Sequence, residues 1–132
     1  MEHCRFTSNT TFIREWYPTI KASAEFFVDF LTDYKGMKVT NPTISPENTY
    51  YINDTGVVAS ITMGPAMDTE LLWELFNEVK ELNQVLYMGD DTFVSGLDAI
   101  KAALPPLKIN SWGGIQEWIY DYPEVSEAVI HT

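Results

Sequence analysis

The chain has 132 residues, 45% hydrophobic and 14% aromatic, enough for one modest domain and too apolar for intrinsic disorder. Nineteen Asp and Glu against eight Lys and Arg give a formal net charge of −11. That balance repels nucleic acid and acidic lipid surfaces and leaves uncharged or cationic ligands open.

The first predicted element is a helix over residues 11–32. Phe12, Ile13, Trp16, Tyr17, Ile20, Ala24, Phe27, Val28 and Leu31 recur at steps of three and four. Pro18 interrupts the pattern, so a start near Pro18, with Pro in the first turn, is the alternative. Gly36 reads as the helix C-cap, and residues 39–53, punctuated by Pro42 and Pro46, read as a loop. Residues 57–63 are β-branched and fit a strand or an extended rim. A helix over residues 68–86 carries Met67, Leu71, Leu72, Leu75, Phe76, Val79, Leu82 and Leu86 as its apolar stripe, with Asp68 as N-cap. A third helix covers residues 91–104 and stops at Pro105-Pro106. Residues 108–114 read as a loop, 115–120 as a short helix or turn, and 123–130 as a further helical stretch. Trp16, Trp73, Phe26 and Phe27 lie on helices and are expected in the core. The resulting expectation is a single domain over residues 1–132, all-α, with long loops on a helical scaffold.

Chemistry is thinly signposted. Cys4 is the one cysteine, which excludes an internal disulfide, and His3 and His131 stand at opposite ends without zinc-ligand spacing. There is no GxGxxG, P-loop or G-x-S-x-G, so no metal and no cofactor are expected. No apolar run approaches the roughly 20 residues of a membrane span. The start Met1-Glu2-His3-Cys4-Arg5 lacks the apolar centre of a signal peptide. Asn9-Thr10-Thr11 and Asn53-Asp54-Thr55 fit the N-glycosylation acceptor pattern and hint at a secreted parent.

The most informative stretch is Thr43-Ile44-Ser45-Pro46-Glu47-Asn48-Thr49-Tyr50, a lone carboxylate in a Pro-bracketed loop rich in hydroxyl and amide groups. By default Glu47 is a solvated turn carboxylate. Held beside Pro46, Asn48, Tyr50 and Tyr51, it is also a candidate general acid. Downstream, Trp112-Gly113-Gly114-Ile115-Gln116-Glu117-Trp118 offers Gln116 and Glu117 for sugar hydroxyls and Trp112 or Trp118 for stacking on a sugar face. The plain reading there is a Gly113-Gly114 turn with Trp118 in the core. Glu117 is the rival to Glu47 as the chemical carboxylate.

Taken in order, these segments resemble the catalytic domain of glycoside hydrolase family 95, the α-L-fucosidase family. The resemblance runs through Phe12-Ile13-Arg14-Glu15, Tyr17-Pro18, Ala22-Ser23-Ala24-Glu25-Phe26-Phe27, the Asn41-to-Tyr50 loop, Met63-Gly64-Pro65-Ala66-Met67-Asp68, Leu104-Pro105-Pro106 and Gly114-Ile115-Gln116-Glu117-Trp118. It implies part of an (α/α)6 barrel and an inverting hydrolase of terminal α-1,2-linked L-fucose or L-galactose, with a fucosylated oligosaccharide or glycan as substrate. It implies Glu47 as general acid and Asn48, Gln116, Glu117 and Trp118 as substrate contacts. The family's base is an Asp working with two Asn residues, and neither of those motifs occurs in this sequence. The chain therefore reads as an internal slice of the domain, inactive alone, whose exposed apolar face would favour self-association. Two other readings remain open: a non-catalytic helical interaction module, and a different (α/α)6 carbohydrate-active enzyme.

Overall fold

The computed structural model describes residues 9–46, 48–52 and 56–125. In chain order the elements are α1 (Thr10–Phe30), β1 (Thr32–Tyr34), β2 (Met37–Val39), β3 (Thr43–Ile44), β4 (Tyr50–Ile52), β5 (Val57–Ala59), β6 (Ile61–Thr62), α2 (Ala66–Leu86) and α3 (Asp91–Ala102). The all-α expectation is thereby corrected: short paired strands lie between α1 and α2, and no barrel forms among the described residues. Two compact units are formed, residues 9–31 with 71–103 and residues 32–70 with 104–125.

In the helical unit, α1 begins where Asn9 Oδ1 accepts the Phe12 N–H at 3.0 Å. This side chain satisfies one of the four donors that every helix start leaves open. The helix continues through Pro18 instead of starting there. Proline forfeits one backbone donor, but Ile13, Tyr17 and Ala24 form one buried line across that position, and burial outweighs the lost bond. On α2 the buried line is Leu72, Phe76, Val79, Leu82 and Leu86, and on α3 Val94 and Leu97. Each such Leu, Val or Phe contributes about 1.5–3 kcal/mol relative to exposure.

The predicted stripes were broader than the buried ones. Leu71 of the predicted stripe is more than half exposed, and so are Trp16, Trp73 and Phe26, which corrects the placement of those three aromatics in the core. Period alone fixes the direction of a helical face but not how much of it other chain covers. Phe26 instead stacks on Phe30 at 5.7 Å, and Trp73 lies under the Lys101 ammonium at 5.3 Å.

A polar network closes the α2–α3 connection. Asp90 sits just before α3 but does not cap it with its side chain. Its carboxylate accepts from Tyr17 Oη at 2.9 Å and from Lys21 Nζ at 2.7 Å. Buried Asn83 accepts the Asp90 N–H at 2.9 Å and donates to Asp91 at 2.8 Å. Arg14 reaches the Leu86 carbonyl at 2.7 Å, a cation at the carbonyl end of α2. The Lys21 hydrogen bond, then that of Tyr17, holds the Asp90 carboxyl below its ordinary value near 4. Burial, then Asp90, pushes the Tyr17 phenol up, and Asp90 raises Lys21. A lowered carboxyl pKa stabilises the fold above the unfolded value and stops doing so as pH falls through the folded one; the raised Tyr17 and Lys21 lose their contribution only on the alkaline side. Asp90→Asn should therefore lower the melting temperature at pH 7 by roughly 3–6 °C. In melts recorded from pH 7 to pH 2, the gap to wild type should close below pH 4. A gap constant over that range would sink the assignment.

The second unit is built from hairpins. β1 and β2 pair antiparallel with Tyr34 opposite Met37, which leaves the two-residue turn Lys35-Gly36. Both turn residues have positive φ, 50° and 80°, the turn whose twist matches paired strands. Gly36 is thus a hairpin glycine, not a helix cap; α1 has already ended at Phe30. β3 pairs with β6 and β4 with β5, so residues 43–62 form one long hairpin with an interruption. Five residues, 45–49, separate β3 from β4, whereas Ser60 alone separates β5 from β6. The first arm is thus longer than the second by four residues.

Residues 115–120 form no helix: Ile115 makes an isolated bridge to Ile109, and the chain bends over 118–120. A Cβ at Gly114 would lie 2.5 Å from the Trp112 ring, so a larger residue there would have to displace that exposed indole. Glu124 bridges to Tyr50, so residues 123–125 are extended where a helix was expected; residues 126–132 lie outside the described residues.

Candidate functional site

Glu47 lies outside the described residues, as does the Asn53-Asp54-Thr55 sequon. The residues flanking Glu47 are well placed. Asn48 N–H donates to the Ser45 carbonyl at 3.2 Å, and Ser45 is buried. Asn48 Oδ1 accepts the Thr49 N–H at 2.9 Å, and Asn48 Nδ2 donates to Glu117 Oε2 at 2.5 Å. Two residues 69 positions apart, from the two stretches singled out in the sequence, are therefore in direct contact.

Each side of this contact is anchored. The Glu117 carbonyl accepts the Ala66 N–H at 2.8 Å, using one of the open donors at the start of α2. On the hairpin side, Thr40 Oγ1 and Thr43 Oγ1 both donate to Asp68 Oδ2, at 2.6 and 2.8 Å. α2 starts at Ala66, so Asp68 is not the N-cap but a first-turn residue whose carboxylate clamps the strand preceding the loop. The second arm is held by Tyr50 Oη, which donates to the Ile61 carbonyl at 2.8 Å. Residues 49–51 are tied further by Tyr51 N–H to the Pro123 carbonyl at 2.9 Å and Val125 N–H to the Thr49 carbonyl at 3.1 Å.

Trp118 is 3% exposed. Its indole packs 5.1 Å from the Tyr50 ring, and Tyr50 stacks on Tyr122 at 4.4 Å. Of the two readings for Trp118, its burial matches the core one: no ring face is open for a sugar. Trp112 is 67% exposed, its neighbours turned by Asn110, which receives the Gly114 N–H at 2.8 Å. Gln116 donates its amide to the Trp118 carbonyl at 2.8 Å, so its side chain supports the turn. The cavity lined by Gln116, Trp118, Thr69 and Pro105 is about 20 Å³, room for one water and not for a hexose. Buried Thr49 Oγ1 and Trp118 Nε1 have no hydrogen-bond partner among the described residues.

Among the described residues no group of three or more His, Cys, Asp or Glu could hold a metal, and no helix is long and apolar enough to cross a membrane. The Thr40–Thr43–Asp68 clamp was not foreseen. Asp68 and Thr43 were both in noted stretches, but nothing in the sequence pairs residues 25 positions apart.

The Glycosyl hydrolase family 95 catalytic domain model matches residues 1–132. Alpha-L-fucosidase 2 of Arabidopsis thaliana is 32% identical over 128 residues, 94% of this chain and 15% of that protein. Probable alpha-fucosidase A of Aspergillus niger is 31% identical over 128 residues, 91% of this chain and 15% of that protein. The chain thus spans about 15% of the length of the curated relatives it matches.

Proposed function

The chain belongs to glycosyl hydrolase family 95, and from that premise we propose that it carries the proton-donating side of the active site of an inverting glycosidase for terminal α-1,2-linked L-fucose or L-galactose. Glu47 is the general acid. Asn48 and Glu117 position it: the Asn48 amide, next in sequence to the acid, is tied to the Glu117 carboxylate at 2.5 Å. That contact is the observation that carries the reading, because it joins two segments of the resemblance that lie 69 positions apart. The names of the two relatives, an alpha-L-fucosidase and a probable alpha-fucosidase, supply the sugar.

A proton donor must be neutral when substrate arrives and must sit against the leaving oxygen. Anchored neighbours support the second need: hairpin pairing fixes β3 and β4, and Asn48 is fixed to Glu117. In an inverting mechanism a second group on the opposite face activates water, about 6.5–9.5 Å from the acid. That group belongs to motifs absent from these 132 residues. The remaining helices of the (α/α)6 barrel would also cover Trp16, Phe26 and Trp73; the chain alone would cover them by self-association.

Stereochemistry tests the reading. The full-length protein, given an oligosaccharide ending in α-1,2-linked L-fucose, should release β-L-fucose first, seen by proton NMR before mutarotation. Release of the α anomer would identify a double displacement and remove the single-acid, water-attack scheme.

A further inference from the structure

A second cluster in the hairpin unit lies outside this site. Lys35 Nζ donates to Tyr120 Oη at 2.9 Å, and the hydroxyls of Tyr34 and Tyr120 are 2.6 Å apart. The same ammonium lies over both rings, 5.3 Å from the Tyr34 centroid and 5.5 Å from that of Tyr120. The arrangement is built by the β1–β2 turn. Lys35 holds a left-handed φ of 50°, at a turn position that favours Asn, Asp or Gly, and its side chain is directed at one oxygen. Tyr120 is 41% exposed, so that oxygen is supplied with donors while the residue stays open to solvent.

We propose that Tyr120 is a nucleophilic tyrosine, a modification site for small activated acyl groups. Its oxygen, once deprotonated, accepts from the Lys35 ammonium and from the Tyr34 hydroxyl, and charge-assisted bonds of this kind favour the anion strongly. The Lys35 hydrogen bond, followed by that of Tyr34, holds the phenol below its ordinary value near 10, with the charges of Lys35 and Lys108 adding to it and desolvation opposing. Neighbouring Asp121 has its carboxylate committed to the Ser111 N–H at 2.9 Å. Tyr122 meets the Tyr120 ring edge-on at 5.8 Å; its own phenol is pushed up, chiefly by burial. One tyrosine of the adjoining pair is thereby activated and the other suppressed.

With N-acetylimidazole as probe, the phenol gives its proton to solvent and the Tyr120 oxygen attacks the acetyl carbonyl carbon. An ester C–O bond forms, the C–N bond to imidazole breaks, and imidazole leaves and takes up a proton. No oxidant or reductant is needed.

Tyr87 is the internal reference, because it is 91% exposed. Accessibility alone would have Tyr87 react first; activation puts Tyr120 first. The chain would be treated with limiting N-acetylimidazole near pH 7.5, and hydroxylamine-reversible acetylation would be located by peptide mass spectrometry. Tyr120 should be acetylated several-fold faster than Tyr87. Lys35→Met, which keeps the stem and removes the charge, should reverse that order, and Tyr34→Phe should lower the ratio less. Tyr87 reacting ahead of Tyr120 in the wild type, or an unchanged ratio in Lys35→Met, would overturn the proposal.

Discussion

Glu47→Gln in the full-length protein should lower kcat on an oligosaccharide ending in α-1,2-linked L-fucose by about 10²–10⁴-fold, with KM little changed. Glutamine keeps the size and most of the polarity of the side chain but cannot donate a carboxyl proton to the departing oxygen. The loss should depend on the leaving group. Fluoride departs without being protonated, so on α-L-fucosyl fluoride the variant should keep most of the wild-type rate. A variant that had merely misfolded would lose both substrates together. The rival carboxylate separates in the same pair of assays. Glu117 holds the loop through Asn48 at 2.5 Å, so Glu117→Gln should cost less than Glu47→Gln and should cost it on both substrates, since a displaced loop harms binding and orientation whatever leaves. If Glu117→Gln showed the leaving-group dependence and Glu47→Gln did not, the roles of the two residues would be exchanged.

What the sequence disclosed follows from the range of each signal. The three helices were legible because their evidence is local: the three- and four-residue steps through α1, a 3.6-residue line through α2, and Pro105 after α3 all act within a few residues. The strands between α1 and α2 were largely hidden. β3 and β6 are two residues each, too short for alternation to register, and their pairing spans 43 to 62. Pro42 and Pro46 speak for a loop, and locally they are right: they bracket the short strand β3. Gly36 was misassigned for a related reason. A glycine with positive φ ends helices and turns hairpins alike, and only the Tyr34–Met37 register distinguishes the two. For the site, chemistry pointed to Asn48 and Glu117 separately, but only the fold joins them. The Thr40–Thr43–Asp68 clamp and the Lys35–Tyr120 contact are invisible by the same logic, since each depends on partners 25 to 85 positions apart.

The isolated 132-residue chain, folded or not, should release no free fucose above a buffer blank. An acid alone lowers only one side of the barrier. Without a group to deprotonate the attacking water, the incoming nucleophile is neutral water, and the developing oxocarbenium charge on the sugar has no opposing carboxylate. Glu117 is assigned to positioning and not to water activation: its carboxylate is hydrogen-bonded to Asn48, the residue next in sequence to the proposed acid. Acid and base also act as a unit, so the loss of one removes most of what the pair achieves. The decisive measurement is fucose release by the purified chain, at high enzyme concentration and over hours, beside the full-length protein and its Glu47→Gln variant. Turnover by the chain that vanished in its own Glu47→Gln version would place a base among these 132 residues and overturn the division of the active site argued here.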